Sequence, residues 1–424
     1  MSSRPLTPPC VPLGESESGK TSKYIEPNII QKNASFVIND LRGVAYEKYG
    51  KWLSKQGYAV NVIDVYDFNH SDYYNPFKYI RTDTMEHNIN RIVDVLINNT
   101  SGLWPHFDKE SFKVKVERLL LTSYISMMIC LFAEDERNFY TLTEMLKCSE
   151  IRENDDDFKN VIDWQFEAVD KWINNNLQDD DIELKELFGN LFEHQPTEQQ
   201  KLFGNFACRK YTTYKLAAGK LQKSVIASCT IRTAVFSKSG VTEITSKDSL
   251  NITEFCDMPT AIFIVRNSYD YSCDLITKLL WMQLFDTVLY NLYTDKQSAF
   301  PIHFLIDDFQ EIGILPNIKD FLLRPKSNVT ASFCVQSIRQ LQWILDEKNV
   351  TNYFQFYLFF CVGNVIEGEN FKFTSKVING SIDWKIFQKA LIKPDKNRCI
   401  LYVKETNKVF LSRKYRTDRR KLLS

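Results

Sequence analysis

The segment GESESGKT near the start of the chain restricts the possible folds more than any other feature. It extends from Gly14 to Thr21 and matches the pattern GxxxxGK[ST] of a phosphate-binding loop, or P-loop. In this pattern glycines let backbone N–H groups turn inward onto phosphate oxygens, the lysine reaches the β and γ phosphates, and the final hydroxyl binds magnesium. Such a loop connects a strand to a helix. The segment therefore predicts an α/β domain that binds ATP with Mg²⁺.

The pattern assigns the nucleotide contacts to five loop residues. They are Gly14, Ser18, Gly19, Lys20 and Thr21, and Thr21 would also bind the metal ion. Two features disagree with this prediction. Glu15 and Glu17 place carboxylates where phosphates would lie, which repels the phosphates unless the side chains point away. Pro12 lies in the short strand that should precede the loop, where it removes a ladder hydrogen bond. The alternative is a surface loop rich in serine and glycine.

Composition narrows the class of protein without deciding its function. The length of 424 residues indicates about two or three domains with a large buried core. The formal net charge is zero, so any basic surface that binds nucleic acid must be local. Ten cysteines without a CxxC pair, and five histidines without zinc-like spacing, are typical of a cytosolic protein with reduced, buried thiols. The apolar run at 119–133 is shorter than the roughly 20 residues of a membrane span, so it predicts a buried helix.

Predicted strands and helices alternate at the start of the chain and again in its second half. Apolar runs predict strands at 35–39, 58–65, 260–265, 302–306, 329–335 and 354–362, and helices at 23–31, 46–56 and 275–293. This alternation is typical of a largely parallel sheet. Between about residues 82 and 215, apolar residues recur at helical spacing. The predicted organisation is a nucleotide-binding domain of residues 1–81 and 216–410, a mainly α-helical insertion domain of residues 82–215, and a basic tail of residues 411–424.

Two acidic residues follow the predicted strand at 302–306. An apolar strand that ends in two acids has the form of a Walker B element, in which Asp307 would hold Mg²⁺ through water and Asp308 would polarise the attacking water. Many strands end in aspartate, so the pattern gains its meaning from the P-loop. Gln336 ends the next strand, where a polar side chain can contact the γ-phosphate and report hydrolysis. The alternative for Gln336 is a glutamine in a turn.

Several blocks, taken in order along the chain, resemble the TraG/TraD-like coupling proteins of conjugative type IV secretion. GESESGKTSKYIEPNIIQ at 14–31 is similar to the family's GGSGSGKTRFYVKPNILQ, LIDDFQEIG at 305–313 to LLDEFANIG, and VQSIRQL at 335–341 to LQSLSQL. Further matches are Asp40 and Gly43 of the family's TDPKGEL turn, a run from Gly57 to Pro76, and AAGK at 217–220. The resemblance covers roughly residues 14–403.

This resemblance implies a fold, cofactors and partners. Members are hexameric, RecA-like ATPases that move DNA, so it implies a RecA-like P-loop NTPase domain with a parallel-rich sheet, interrupted by an all-α domain that receives relaxase and DNA. By position, the nucleotide roles pass to Lys20, Thr21, Asp307 and Gln336, with ATP and Mg²⁺ as cofactors. The implied partners are single-stranded DNA with its relaxase, type IV secretion channel proteins at the inner membrane, and further copies of this chain in a homo-oligomer, a hexamer by resemblance.

Three of the chain's departures from the family's pattern bear most directly on function. The family's Walker B glutamate is Asp308 here, whose shorter side chain would place the base about 1 Å or more from its ideal position. The family arginine that acts on a neighbouring subunit's ATP falls on Pro325, and Arg324, our first candidate, or Lys326 would replace it. Thirteen residues precede Gly14 where the family has a membrane region. We therefore expect a cytoplasmic protein without a transmembrane segment, held at the cytoplasmic face of the plasma membrane through partners.

Two functions remain open from the sequence. The first is a DNA-moving ATPase, and the second is a catalytically decayed module that binds nucleotide and docks relaxase or channel proteins, which Asp308 and Pro325 favour. A chromosome translocase or DNA-packaging protein is a third reading, against which the blocks at Asn75–Pro76 and 217–224 argue. Residues 413–421 carry six basic residues and one acid, and would bind DNA phosphates or anionic lipid, or form a solvated tail.

Overall fold

The chain divides into two compact units. The structure, a computed structural model, describes residues 9–100, 111–152, 158–267, 269–296, 298–324, 328–360, 398–406 and 408–414. One unit contains Met1–Asp72 and Asn251–Ser424, and the other contains Tyr73–Leu250. The chain therefore leaves the first unit once, forms the second, and then returns to complete the first.

A single sheet of nine strands, counted over the described residues, forms the centre of the first unit. The strands are β1 (Cys10–Leu13), β2 (Ser35–Leu41), β3 (Ala59–Asp64), β4 (Thr260–Arg266), β5 (Ile302–Ile306), β6 (Val329–Phe333), β7 (Phe356–Phe360), β8 (Arg398–Val403) and β9 (Lys408–Arg413). Their order is β3-β4-β2-β5-β6-β1-β7-β8-β9. Pairs from β3 to β7 are parallel, whereas β8 and β9 add an antiparallel edge. The predicted parallel-rich α/β sheet is confirmed.

Helices flank the sheet and build the second unit. In chain order they are α1 (Glu26–Ile30), α2 (Val44–Lys55), α3 (Met85–Asn98), α4 (Phe112–Leu131), α5 (Phe139–Lys147), α6 (Val161–Ile173), α7 (Ile182–Phe192), α8 (Glu198–Lys215), α9 (Gly219–Thr233), α10 (Ser239–Ser246), α11 (Asp274–Tyr293), α12 (Ile318–Leu323) and α13 (Ile338–Leu345). Helices α3 to α10 belong to the second unit. A π-helical turn, Thr21–Ile25, leads directly into α1, so the helix after the P-loop begins as a wider turn.

The central strands are buried along their length. Every residue of β4 and β5 is buried. Strands covered on both faces are nearly continuous apolar runs, which is why the sequence predicts them with nearly correct bounds. On one face, Ile29 of α1 and Leu53 of α2 lie in an apolar cluster with Phe36 and Phe263 of the sheet.

Pro12 lies in a paired strand, although its residue type argues against one. Strand β1 pairs with β7 along all of its residues. Towards β6 the register is Cys10 opposite Ser332, followed by a bridge between Leu13 and Val335. The Pro12 carbonyl accepts the Val335 N–H at 3.0 Å on this side. Since the nitrogen and carbonyl of a strand residue face the same neighbour, the missing N–H falls on the β6 side and leaves the pairing with β7 intact.

The second unit is built around the long helix α4. The Ser111 side chain accepts the Val114 N–H and caps its start. Nearly every residue from Val116 to Cys130 is buried, so the apolar run at 119–133 is a buried helix as predicted. No helix in the described parts of the chain has the length and apolar character needed to cross a membrane.

The helical unit is larger than the predicted insertion of residues 82–215. Its bounds are Tyr73 and Leu250, so it also contains α9 and α10. Val225 and Cys229 of α9 are fully buried, and Arg232 of the same helix forms a buried ion pair with Glu117 of α4. These contacts join α9 to the helical core, whereas the prediction placed it in the nucleotide-binding domain. At the other end of the chain, β9 includes residues 411–413 of the predicted tail, and residues 415–424 lie outside the described residues.

Candidate functional site

Three chain segments with polar side chains meet at one edge of the sheet. The P-loop follows β1, Asp307 follows β5 and Gln336 lies beyond β6, and these three strands are neighbours in the order β5-β6-β1. The carboxyl ends of parallel strands form such a crevice, where open α/β sheets bind ligands. Here a cavity of about 290 Å³ is lined by residues 16–22, Glu26, Asp307, Asp308 and Gln336. The structure therefore brings the predicted P-loop, metal and catalytic residues to one cavity, apart from Gly14 and Arg324, which are not among its lining residues.

Lys20 is held inside the P-loop. Its amino group donates to the Gly14 carbonyl at 2.6 Å and to the Glu15 carbonyl at 2.9 Å. The side chain is buried and lines the cavity. A buried ammonium group needs such partners, and phosphate oxygens would serve it equally well. Ser18 adds a second polar group, because its hydroxyl is buried and makes no hydrogen bond to any described residue.

The two predicted metal ligands are in direct contact. The Thr21 hydroxyl donates to the Asp307 carboxylate. Asn39, in the second half of β2, donates its side-chain N–H to the Asp307 carbonyl and thereby fixes the backbone of this residue. Burial raises the pKa of Asp307, which the hydrogen bond from Thr21 opposes. A hydroxyl and a carboxylate are the hard oxygen ligands that Mg²⁺ prefers, so this pair fits a magnesium ion.

Asp308 and Gln336 also come together, as their predicted roles require. Asp308 adopts the left-handed conformation, with φ 50° and ψ 66°, which aspartate tolerates better than most residues. The Gln336 side-chain amide lies 3.5 Å from a carboxylate oxygen of Asp308. At this distance the hydrogen bond is long. Both side chains line the cavity.

A chain of hydrogen bonds continues from Gln336 behind the cavity. The Gln336 N–H donates to the Gln340 side chain at 2.7 Å, and the Gln340 amide donates to Gln310 at 2.6 Å. Gln310 in turn donates to Glu311 at 3.1 Å. We name Gln340, Gln310 and Glu311 the glutamine chain. It ties the segment after β6 to the segment after Asp308.

Arg266 anchors this chain from the end of β4. It is 1% exposed and donates to Glu311 at 3.1 Å and to Asp274. Burial raises the pKa of Asp274, and the guanidinium opposes that change. Arg266 and the glutamine chain were not predicted from the sequence. Lys414 was predicted only as part of a basic tail that binds DNA phosphates or anionic lipid or is solvated, whereas its side chain is buried and its amino group donates to the Ser18 carbonyl at 3.0 Å. The one local signal was a charged residue at the end of the otherwise apolar strand β4.

The two P-loop glutamates differ in position. Both are exposed. Glu17 has a positive φ of 60° and lines the cavity, whereas Glu15 is not among its lining residues. The expected repulsion therefore concerns Glu17 above all, which is exposed and screened by solvent.

Arg324 does not line this cavity. It follows α12 as its C-cap, is exposed, and is the last described residue before Pro325 and Lys326, which lie outside the described residues. Its predicted action on a neighbouring subunit's ATP concerns a second chain and stays a prediction.

Comparison with known proteins identifies a family. The model of the family described as type IV secretory system conjugative DNA transfer matches residues 11–380. The curated proteins contain no significant match. Among solved structures, the bacterial conjugative coupling protein TrwBdeltaN70 in its unbound monoclinic form has a TM-score of 0.59 at 12% identity, over 96% of this chain and 84% of that chain.

Two further solved structures give the same result. TrwBdeltaN70 in a trigonal form with sulphate has a TM-score of 0.58 at 11% identity, over 96% of this chain and 85% of that chain. The plasmid coupling protein TrwB in complex with ADP and Mg²⁺ has a TM-score of 0.52 at 12% identity, over 96% and 77%. At these identities the likeness shows the fold. It confirms the predicted class, a RecA-like P-loop domain interrupted by a helical insertion.

Proposed function

This chain belongs to the type IV secretory system conjugative DNA transfer family, as its ordered blocks predicted, and on that basis we propose that it is an ATP-binding coupling protein that recruits and moves single-stranded DNA with its relaxase. The observation that carries the proposal is the cavity at the sheet edge. There Lys20, the Thr21–Asp307 pair and the Asp308–Gln336 pair surround one space. These are the parts that phosphoryl transfer from ATP requires.

The cofactors follow from the donor set. Lys20 and the N–H groups of the P-loop would bind the phosphates, the buried Ser18 hydroxyl would add a hydrogen bond, and Thr21 with Asp307 would hold Mg²⁺. The TrwB structure with ADP and Mg²⁺ has a related fold and supports this choice. Bound Mg²⁺ would neutralise charge on the phosphates and so also oppose the repulsion from Glu17.

Hydrolysis would rest on Asp308, Gln336 and Arg324. Asp308 would orient the attacking water and Gln336 would contact the γ-phosphate, whereas Arg324 would act on the ATP of a neighbouring subunit. We therefore propose a homo-oligomer, with a hexamer as the expected form. Since aspartate is one methylene shorter than glutamate, turnover should be slow.

The proposed partners are single-stranded DNA with its relaxase and channel proteins of the secretion system at the inner membrane. The protein would act at the cytoplasmic face of that membrane, held there by these partners. Family membership supports this part of the proposal.

An ATPase assay tests the proposal. The wild type should hydrolyse Mg-ATP, faster with single-stranded DNA, and Lys20→Ala should lose at least about tenfold of that rate because its ammonium group no longer stabilises the transferred phosphoryl group. Lys55→Ala removes the same charge from the exposed end of α2 and serves as the matched control. A wild-type rate no higher than that of Lys20→Ala would contradict the proposed enzyme.

A docking module without turnover is the second candidate function. The specific observation in its favour is Asp308 at the position of the family's Walker B glutamate. This candidate predicts Mg-ATP binding by the wild type without hydrolysis. If Asp308→Glu then produced turnover, only the catalytic step would have decayed.

A further inference from the structure

Lys414, at the far end of the chain, is part of the P-loop's surroundings. It follows β9 and is 7% exposed. Its amino group donates to the Ser18 carbonyl at 3.0 Å and lies 5.2 Å from the centre of the Phe360 ring. A buried ammonium group without partners is costly. These two contacts offset the cost of burying Lys414 and hold its side chain in place.

The Ser18 carbonyl controls the direction of a neighbouring N–H group. In a planar trans peptide, the carbonyl of one residue and the N–H of the next point in opposite directions. The described residues contain no cis peptide bond. With the Ser18 carbonyl directed at Lys414, the Gly19 N–H must therefore point away from Lys414. Gly19 lines the cavity and has a φ of 91°, a conformation that glycine adopts readily.

The other end of the P-loop lies against the last residue of β7. A Cβ atom on Gly14 would lie 2.7 Å from the Phe360 carbonyl oxygen. Phe360 ends β7, and Lys414 follows β9, so two strands that each pair with β8 contact the two ends of the loop. Lys20 meanwhile binds the Gly14 and Glu15 carbonyls. Two ammonium groups thus fix loop carbonyls, one from within the motif and one from the end of the chain.

We propose that Lys414 is a positioning residue of the nucleotide site, which orients the Ser18–Gly19 peptide so that the Gly19 N–H faces the nucleotide's phosphates. The inference rests on the proposed nucleotide binding. It makes the end of β9 a part of the site, and it couples that strand to the occupancy of the P-loop.

Affinity measurements with a fluorescent ATP analogue and Mg²⁺ test this role. Lys414→Met should weaken binding about tenfold, the effect of losing one hydrogen bond from a charged group. ADP should lose affinity by the same factor, because P-loop N–H groups contact the phosphates that both nucleotides share. Lys414→Arg keeps a charged donor and should stay within about threefold of the wild type. Lys408→Met makes the same change at the exposed start of β9 and should have no effect.

Hydrogen exchange gives a reciprocal readout that a purely structural lysine would not produce. If Lys414 favours the binding-competent loop, then by linkage a bound nucleotide favours the Lys414 contact. In the wild type, Mg-ATP should slow amide exchange across β9. In Lys414→Met, Mg-ATP should no longer slow amide exchange across β9, whereas amide exchange in β2 should be the same as in the wild type.

The outcomes separate this inference from the proposed function. A wild type that binds no Mg-ATP overturns both. A wild type that binds while Lys414→Met and Lys408→Met behave alike overturns the role of Lys414 alone. If Lys414→Met does not fold, the wild-type exchange experiment decides, and an unchanged β9 with Mg-ATP overturns the inference.

Discussion

Gly14 occupies a position that has no room for a side chain. A Cβ atom there would lie 2.6 Å from the Ser18 hydroxyl and 2.7 Å from the Phe360 carbonyl oxygen. The second contact is with backbone and cannot be relieved by a rotamer change. The glycine that the sequence pattern requires for phosphate binding is thus also required by the packing of β7 against the loop.

We predict that Gly14→Ala lowers the free energy of unfolding by about 1–3 kcal/mol, the usual cost of overpacking, and weakens Mg-ATP binding because the loop must shift. Thermal unfolding and titration with a fluorescent ATP analogue measure the two effects. Gly189→Ala in α7 is the matched control, since a Cβ atom there meets nothing within 4 Å. Equal behaviour of the two variants would contradict the prediction.

Asp40 is the acid of the family's TDPKGEL turn, and its side chain accepts hydrogen bonds from the start of α2. Its carboxylate accepts the N–H groups of Ala45 at 3.0 Å and Tyr46 at 2.7 Å. Burial raises its pKa from 3.8 to about 6, and the nearby acids Asp307 and Glu47 act in the same direction. The folded state therefore holds the Asp40 proton at pH values where the unfolded chain has released it.

This difference predicts how stability depends on pH. Because the folded state binds more protons between pH 4 and pH 6, the contribution of Asp40 is full below pH 4 and is lost as the pH rises through about 6. The loss corresponds to about 3 kcal/mol. Asp40→Asn should be less stable than the wild type at pH 4, since one acceptor is gone, and the gap should narrow towards pH 7. Urea unfolding at several pH values measures it, and parallel curves for the two proteins would refute it.

The site residues that the sequence predicted share one property: each occupies a fixed position in a short sequence motif. Lys20 and Thr21 are recognisable because the loop needs them at fixed offsets, and Asp307 because it ends an apolar strand. Arg266, Gln340 and Lys414 belong to no such motif, since each reaches the site through a partner that is distant in the sequence. These partners are Glu311, Gln310 and Ser18. Only the three-dimensional arrangement brings Arg266, Gln340 and Lys414 to the site.

Among the elements, the sequence predicted the buried parallel strands but not the antiparallel strands β8 and β9, which form one side of the sheet. Strands β2, β4 and β5 are buried and mostly apolar, so their sequence alone marks them. Strands β8 and β9 are partly exposed, and the prediction left β8 without an element and divided β9 between domain and tail. The order of strands also depends on crossovers that no local pattern encodes. The prediction assigned α9 to the nucleotide-binding domain rather than to the helical unit, because the AAGK motif does not indicate which core the buried side chains of this helix pack against.

The glutamine chain predicts a positioning role for α13. Gln340 receives the Gln336 N–H and donates to Gln310, so it holds the segments after β5 and β6 at a fixed distance. Gln340→Met should lower kcat for ATP about fivefold while leaving the affinity for Mg-ATP within about twofold, because it loosens the hydrolytic residues and leaves the P-loop intact.

Gln342→Met provides the control on the same helix. Gln342 donates to the Lys348 carbonyl at 2.8 Å and takes no part in the glutamine chain. Its substitution should leave kcat unchanged. If both variants lowered kcat equally, the effect would come from α13 as a whole and the positioning role of Gln340 would be wrong.

In the molecule as a whole, the chain enters and leaves the helical unit at residues that are adjacent in space. The N–H groups of Ser249 and Leu250 both donate to the Tyr73 carbonyl, at 2.9 and 3.2 Å. The Tyr73 N–H donates in turn to the Ser249 hydroxyl at 3.0 Å. The two ends of the unit are therefore adjacent, which is the geometry of a domain inserted into a loop of another.

The helical unit also has its own core. The rings of Phe166 in α6 and Tyr211 in α8 stack with their centres 3.8 Å apart. Arg232 and Glu117 form an ion pair whose side chains are 9% and 1% exposed. A buried pair of this kind is costly to break by removing one partner. These contacts lie entirely within Tyr73–Leu250, so the unit has the internal support that independent folding needs.

We predict that residues 73–250 fold when expressed alone and that the remainder binds Mg-ATP when a short Gly-Ser linker joins residue 72 to residue 251. The fragment should show helical circular dichroism and one cooperative thermal transition, because its core and both of its ends are self-contained. The linked protein should keep its nucleotide affinity, since every residue that lines the cavity belongs to the first unit. Lys20→Ala in the linked protein is the control and should abolish binding. A fragment that melts without cooperativity, or a linked protein that folds but no longer binds Mg-ATP, would show that the two units depend on each other for folding or for the site.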